Sequence, residues 1–203
     1  MQTIMKLIIL LILSYLAGSV NFSILLFMFL GRGDPRKSHS GNAGVTNVYR
    51  IAGPAWAALI LILDVGRAVI VGLLAGYALS PGQVPWAGLA LVIGNSYPCF
   101  HRFRGGKGVA NYLGFTAAVT PAGALVSAMA WVLVYLVKRA PFIASFAMIA
   151  VLAAGTIVAC DYRPAAAAGA IVTVLFIIFN HRKNIGEFLG KKEEEAPPDR
   201  DEG

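Results

Sequence analysis

Charge is scarce in this 203-residue chain. Only 13% of its residues are charged and 58% are hydrophobic, where a soluble domain carries about 25% charged residues. An ordinary soluble globular domain is therefore excluded, and the length leaves no room for a second, soluble one. Cysteine is equally scarce. Cys99 and Cys160 are the only two, they stand in no metal-ligand spacing, and the topology below sends them to opposite membrane faces. No disulfide is expected between them, and both read as small apolar filler. Strand-like alternation is missing, which argues against a membrane β-barrel. No Ser-His-Asp set and no placed cysteine nucleophile are apparent. The histidines, His39, His101 and His181, lack an acidic neighbour at metal spacing, so no metal is expected.

What the chain does have is long apolar runs bounded by charge, glycine or proline. About 20 apolar residues are needed to cross a bilayer core. The runs cover Met5–Leu30, Pro54–Leu79, Pro85–Phe100, Val109–Val137, Pro141–Cys160 and Pro164–Asn180. The first resembles a signal peptide only until Ala17-Gly18-Ser19, where the apolar run resumes, so it reads as a span. The fourth run is broken at Thr120-Pro121, and proline opens a new helix at its first turn. Counting it as two helices gives seven spans. That count sends 13 of the 17 Lys and Arg residues to one side, the side expected to be cytoplasmic. The fold class is thus all-α and polytopic: seven transmembrane helices, N-terminus outside, C-terminus cytoplasmic. Residues 1–192 form one membrane-embedded domain. Residues 193–203 form an acidic, proline-containing tail expected to be disordered. The net charge of +7 suits anionic lipid and cytoplasmic loops rather than nucleic acid.

Three segments on the basic side carry candidate chemistry. The first runs from Ser38 to Arg50. Ser40, Asn42, Thr46 and Asn47 offer hydrogen bonds, Gly41 and Gly44 allow tight turns, and Arg50 offers a bidentate phosphate contact. The second runs from Arg102 to Val109, where Arg104, Gly105, Gly106 and Lys107 precede a helix entry suited to an anion. It is not a Walker A loop, because Gly108 follows the lysine and His101 stands in place of the first glycine. The third holds His181 and Asn184, three residues apart and on one helix face. Each segment by itself also reads as an ordinary topology signal or helix cap. Their return to one membrane face is what favours a phosphate site. Within the second span, Asp64 and Arg67 form an i,i+3 pair that serves either structure or the site. Asn21, in the first span, reads as helix–helix glue.

These motifs resemble the bacterial acyl-phosphate:glycerol-3-phosphate acyltransferases of the PlsY type, from about Leu16 to Leu189. The family pattern reads roughly GSGNPGATNVxR, LDxxKG, GHxxPxFxxFxGGKGVAT and HRxNI. This chain matches it with His39–Arg50, Leu63–Ala68, Gly94–Phe100 with Phe103–Ala110, and His181–Ile185. It departs at His39, Ala43, Arg67, Ala68, Asn95 and Asn111, where the family has Gly, Pro, Lys, Gly, His and Thr or Ser. The resemblance implies a seven-span enzyme of the bacterial plasma (inner) membrane, needing no cofactor and compatible with a monomer. Its partners would be acyl phosphate, glycerol 3-phosphate and membrane lipid. Its product would be acylated at the 1-hydroxyl: lysophosphatidic acid, with phosphate released. The resemblance places Ser40, Arg50, Lys107, His181 and Asn184 around the phosphate and glycerol. The His-x4-Asp signature of acyl-CoA-dependent glycerol phosphate acyltransferases is missing: the residues five beyond the three histidines are Gly44, Gly106 and Gly186. Two alternatives use the same loops: a transporter of a small organic phosphate, and a paralogue with an altered substrate. The transporter reading lacks an inverted repeat with a midplane site.

Overall fold

The computed structural model describes residues 2–194, and these residues contain ten α-helices. They are α1 (Gln2–Ser19), α2 (Phe22–Phe29), α3 (Val45–Ala52), α4 (Pro54–Ala78), α5 (Val84–Ser96), α6 (Val109–Val119), α7 (Pro121–Lys138), α8 (Pro141–Ala159), α9 (Pro164–Asn180) and α10 (Arg182–Glu194). Proline opens α4, α5, α7, α8 and α9. Its missing N–H costs nothing in the first turn, and its fixed φ suits a helix. The predicted break at 120–121 is present. Thr120 ends α6 and caps α7, its Oγ1 accepting from Gly123 N at 3.3 Å.

The apolar runs become helices in the predicted order, but with two corrections. The first run is not one straight helix. It breaks at Val20-Asn21, where Asn21 Oδ1 accepts from Ile24 N at 3.1 Å and caps α2. Asn21 is thus a helix cap, and its Nδ2 also donates to Ala43 O at 3.5 Å, so what it ties is the loop at 43 rather than another span. The third run stops at Ser96, followed by a short 3-10 turn at Cys99–His101.

Among the described residues, four stretches are long and apolar enough to cross a bilayer: Gln2–Phe29, Pro54–Ala78, Pro121–Lys138 and Pro141–Ala159. A fifth candidate joins α9 to the start of α10 across a 51° bend. With 13 and 11 residues, α5 and α6 reach only about 20 Å and 16 Å. Residues 193 and 194 end α10. The rest of the expected acidic tail, from 195 onward, lies outside the described residues.

Close backbone contact seats α1 on α5. A Cβ on Gly18 would lie 2.2 Å from Leu91 O, and one on Gly94 2.1 Å from Tyr15 O. Phe115 of α6 fills the space between α4 and α5, with Ala68, Val71, Ala75, Ala87 and Leu91 around it. A second cluster joins α6, α8 and α9 through Tyr112, Ile149, Leu152 and Ile177. A third seats the amphipathic α3 against α2 and α4 through Phe27, Val48, Ala57 and Ile60. The broad apolar outer surface, including Leu133, Leu136 and Val137 of α7, is what helices facing lipid require.

The buried charges serve the helix break. Arg67 of α4 donates from Nη2 to Asp64 Oδ1 at 2.9 Å and to Asn111 Oδ1 of α6 at 2.5 Å. From Nη1 it donates to Ala17 O at 3.1 Å and to Val20 O. Its guanidinium also stands 5.0 Å from the Phe22 ring centroid. Both carbonyls lie where α1 ends, and Ala17 O also accepts from Val20 N at 3.3 Å. The pair therefore caps the broken first stretch and ties it to α4 and α6. Of the two roles open to Asp64 and Arg67, the structural one is on view.

Candidate active site

The three basic-side segments meet. Ala43 N donates to Gly105 O at 3.2 Å, joining the first segment to the second. Lys107 Nζ donates to Asn184 Oδ1, joining the second to the third. Asn180 Nδ2 donates to Ser96 Oγ at 3.0 Å and fixes the end of α5 to the end of α9. The same end of α5 is held from the other side, by Tyr15 Oη donating to Tyr97 O at 2.9 Å and Cys99 N donating to Ser19 Oγ at 3.3 Å.

The first segment is only partly a loop. Gly44 precedes α3, so Thr46, Asn47 and Arg50 stand on a helix. Asn47 is fully buried. Its Oδ1 accepts from Ser40 N at 3.2 Å and Ser40 Oγ at 3.0 Å, while its Nδ2 donates to Pro35 O at 2.8 Å and Asn42 O at 2.9 Å. All this amide's capacity goes into shaping the loop, so Asn47 organises the site rather than offering spare hydrogen bonds to a ligand. Asn42 Nδ2 donates to Ser40 Oγ at 3.0 Å, which leaves the Ser40 hydroxyl held from both sides. Thr46 and Arg50 are exposed.

The glycine segment also works differently from the sequence-based expectation. Gly105 N donates to Ser96 O and Gly106 N to Asn95 O, each at 3.0 Å. These two amides shape the turn and are not turned toward an anion. Glycine is needed there for close approach: a Cβ on Gly105 would lie 2.0 Å from Asn95 O. Asn95, where the related family has histidine, thus lies under the turn and is itself buried. The amides suited to an anion are those of the first turn of α6, which lack partners within their helix. Arg104 has an exposed side chain and contributes its carbonyl to a contact with Arg36.

Lys107 is half-buried, and burial pushes its pKa down to about 8. The Arg50 charge pushes the same way, and Glu187 of α10 opposes both. The Arg50 charge thus reaches Lys107 although the two are 57 positions apart. His181 ends α9 and is 4% exposed. Its ring packs edge-on against Phe146 of α8 at 5.3 Å between centroids. Nδ1 lies 2.8 Å from Ile177 O. A carbonyl only accepts, so Nδ1 carries the proton and Nε2 is the accepting ring atom. Among the described residues, no group of three His, Cys, Asp or Glu is placed to hold a metal ion.

Sequence reasoning missed Asp34, Arg36, Ser96 and Asn180, which hold the three segments in place. The distant partners of Arg36 are the backbone carbonyls of His101 and Arg104, which leave no mark on residue type. Only the Asp34-Pro35-Arg36 spacing carried a signal, that of a capped turn.

Comparison with known proteins places the chain in a family. Residues 8–191 match the family model described as glycerol-3-phosphate acyltransferase. A glycerol-3-phosphate acyltransferase of Pseudomonas paraeruginosa is 37% identical over 183 residues, covering 90% of this chain and 95% of that one. The protein of the same name from Pseudomonas syringae pv. tomato is 39% identical over 181 residues, covering 89% and 93%. Two crystal structures of PlsY, an integral membrane glycerol 3-phosphate acyltransferase, have the same fold. The glycerol 3-phosphate form has a TM-score of 0.84 at 35% identity, covering 91% of this chain and 92% of that one. The lysophosphatidic acid form has a TM-score of 0.81 at 34% identity, with the same coverage. This chain belongs to the PlsY family of integral membrane glycerol-3-phosphate acyltransferases.

Proposed function

We propose that this protein transfers a fatty acyl group from acyl phosphate to the 1-hydroxyl of sn-glycerol 3-phosphate, giving lysophosphatidic acid and phosphate. The observation that carries the reading is that hydrogen bonds join the three candidate segments, Ala43 N to Gly105 O and Lys107 Nζ to Asn184 Oδ1. The relatives' glycerol 3-phosphate and lysophosphatidic acid forms support acceptor and product. In this reading Arg50 and Lys107 take phosphate groups, while the hydrogen-bonding side chains of Ser40, Asn42, Thr46 and Asn184 position the glycerol. Asn47, Arg104, Gly105 and Gly106 act through the loops they shape. The membrane arrangement has seven spans, with the N-terminus outside and the C-terminus cytoplasmic in a bacterial inner membrane. The short α5 and α6 are packed against protein.

The chemistry demands little of the protein. The acceptor hydroxyl oxygen attacks the acyl carbonyl, the bond from carbonyl carbon to phosphate oxygen breaks, and phosphate leaves with its charge. The hydroxyl proton passes to a phosphate oxygen of the substrate. His181 Nε2 is the alternative acceptor of that proton. Positioning and charge stabilisation supply most of the acceleration.

Exchange of substrates tests the reading. Glycerol is expected to fail as acceptor, because it leaves the two cations without an anion. Acyl-CoA is expected to be a poor donor. Efficient use of acyl-CoA or glycerol would contradict the assignment.

The pH profile gives a second test. In the free protein Lys107 is charged below about pH 8 and loses its charge as pH rises through that value. The cation is the phosphate-binding form. The value of kcat/KM for glycerol 3-phosphate, which reports on the free enzyme, is therefore expected to fall above about pH 8, by roughly tenfold per pH unit in the limit. A profile flat to pH 10 would remove Lys107 from phosphate binding.

A further inference from the structure

We propose that Arg36 is a positioning residue for the reaction, clamping the turn that carries Lys107 against the loop that carries Ser40. The proposal rests on the reading of Lys107 as a phosphate ligand. The guanidinium of Arg36 is shared between two tasks. Nη1 donates to His101 O at 2.7 Å and to Arg104 O at 2.6 Å. Nε and Nη2 donate to the Asp34 carboxylate, at 2.8 Å to Oδ1 and 2.7 Å to Oδ2. Asp34 Oδ1 also accepts from Arg36 N at 2.9 Å, capping the 3-10 turn at Pro35–Lys37. The same turn supplies Pro35 O to Asn47, and Asn47 holds Ser40.

The logic is that of a fork fixed by its own carboxylate. Five donors in one plane let arginine grip a carboxylate and two carbonyls at once, which lysine's single ammonium does not reproduce. The Arg36 and Asp34 side chains are 17% and 29% exposed, so water competes only in part for these bonds. The gripped carbonyls, at 101 and 104, stand at the head of the turn Arg104–Lys107. Its far side rests on Ser96 and Asn95 through the Gly105 and Gly106 amides. Without the clamp the turn keeps that wall and the bond from Ala43 N to Gly105 O, but the head of the turn at residues 101 and 104 is released. The ammonium of Lys107 then samples positions away from Asn184 and the anion site. Arg36 itself touches no ligand in this account.

The test combines hydrogen exchange with steady-state kinetics on the full-length protein in detergent. In Arg36→Ala, amide exchange in the segment 103–107 is expected to rise roughly tenfold, the equivalent of one charge-assisted contact, while exchange in α4 and α8 stays as in the unmodified protein. KM for glycerol 3-phosphate is expected to rise about as much, with kcat changed less. Arg36→Lys should fall between the two, and Asp34→Asn should loosen the segment mildly, because the carbonyl bonds survive. Both milder variants keep the test open if Arg36→Ala does not fold. Unchanged exchange in 103–107 would overturn the proposal. So would a loosened segment with unchanged KM, or a parallel loss of protection in every helix. The exchange arm needs no turnover, and protection of 103–107 by glycerol 3-phosphate in the unmodified protein separately tests the reading of the site itself.

Discussion

Replacing Lys107 with alanine is expected to lower kcat/KM by about 10- to 150-fold, from the loss of about 1.5–3 kcal/mol of charge-assisted contact. Lys107 stands at the entry of α6, is half-buried, and is oriented by Asn184. Its ammonium ties the glycine segment to the third segment. Arg50→Ala should lose at least tenfold by the same reasoning. Arg50→Lys should suffer as well, since a point charge replaces a planar fork. Exposed Arg102 and Lys138 have no such place, and alanine there should be mild. Kinetics on purified variants with unchanged thermal midpoints check this. Equal losses at all four positions would mean that the basic residues act only as topology signals.

Arg67→Ala is expected to destabilise the fold by about 3–5 kcal/mol, the usual cost of removing one partner from a buried ion pair. Asp64 is 5% exposed and would be left charged or forced to take up a proton. The Val20 carbonyl and Asn111 Oδ1 would lose the guanidinium donor at the same time, and Ala17 O would keep only Val20 N. Thermal unfolding in mild detergent measures the effect. The double change Asp64→Leu with Arg67→Met should recover part of the loss, because it leaves no lone buried charge. Wild-type stability in Arg67→Ala would contradict a capping role for the pair.

Much of the fold was readable because membrane-embedded helices leave coarse marks. Apolar run length located the helical stretches, and the proline at 121 located the break between α6 and α7. The break between α1 and α2 was not read, because neither Gly nor Pro stands at Val20-Asn21. Its signal was a single polar residue acting as N-cap, and its stabiliser, Arg67, lies 46 positions away. In the site, charge and glycine content marked all three segments. What residue types did not disclose is which hydrogen-bonding groups are already spent. Asn47 reads as a free donor and acceptor but is committed to four bonds inside the loop. Gly105 and Gly106 read as anion-binding amides but are committed to the end of α5. Arg36 reads as one more cytoplasmic positive charge, whereas it grips two carbonyls of a distant turn.

The central claim is acyl transfer from acyl phosphate to glycerol 3-phosphate. The most direct measurement incubates purified protein with these two substrates, without added metal or nucleotide, and follows lysophosphatidic acid by mass together with released phosphate. Equimolar appearance of the two products, with kcat/KM about 10- to 150-fold lower in Lys107→Ala, is the predicted result. No lysophosphatidic acid from folded protein would contradict the account, and would turn attention to Asn95 under the glycine turn and to an altered substrate.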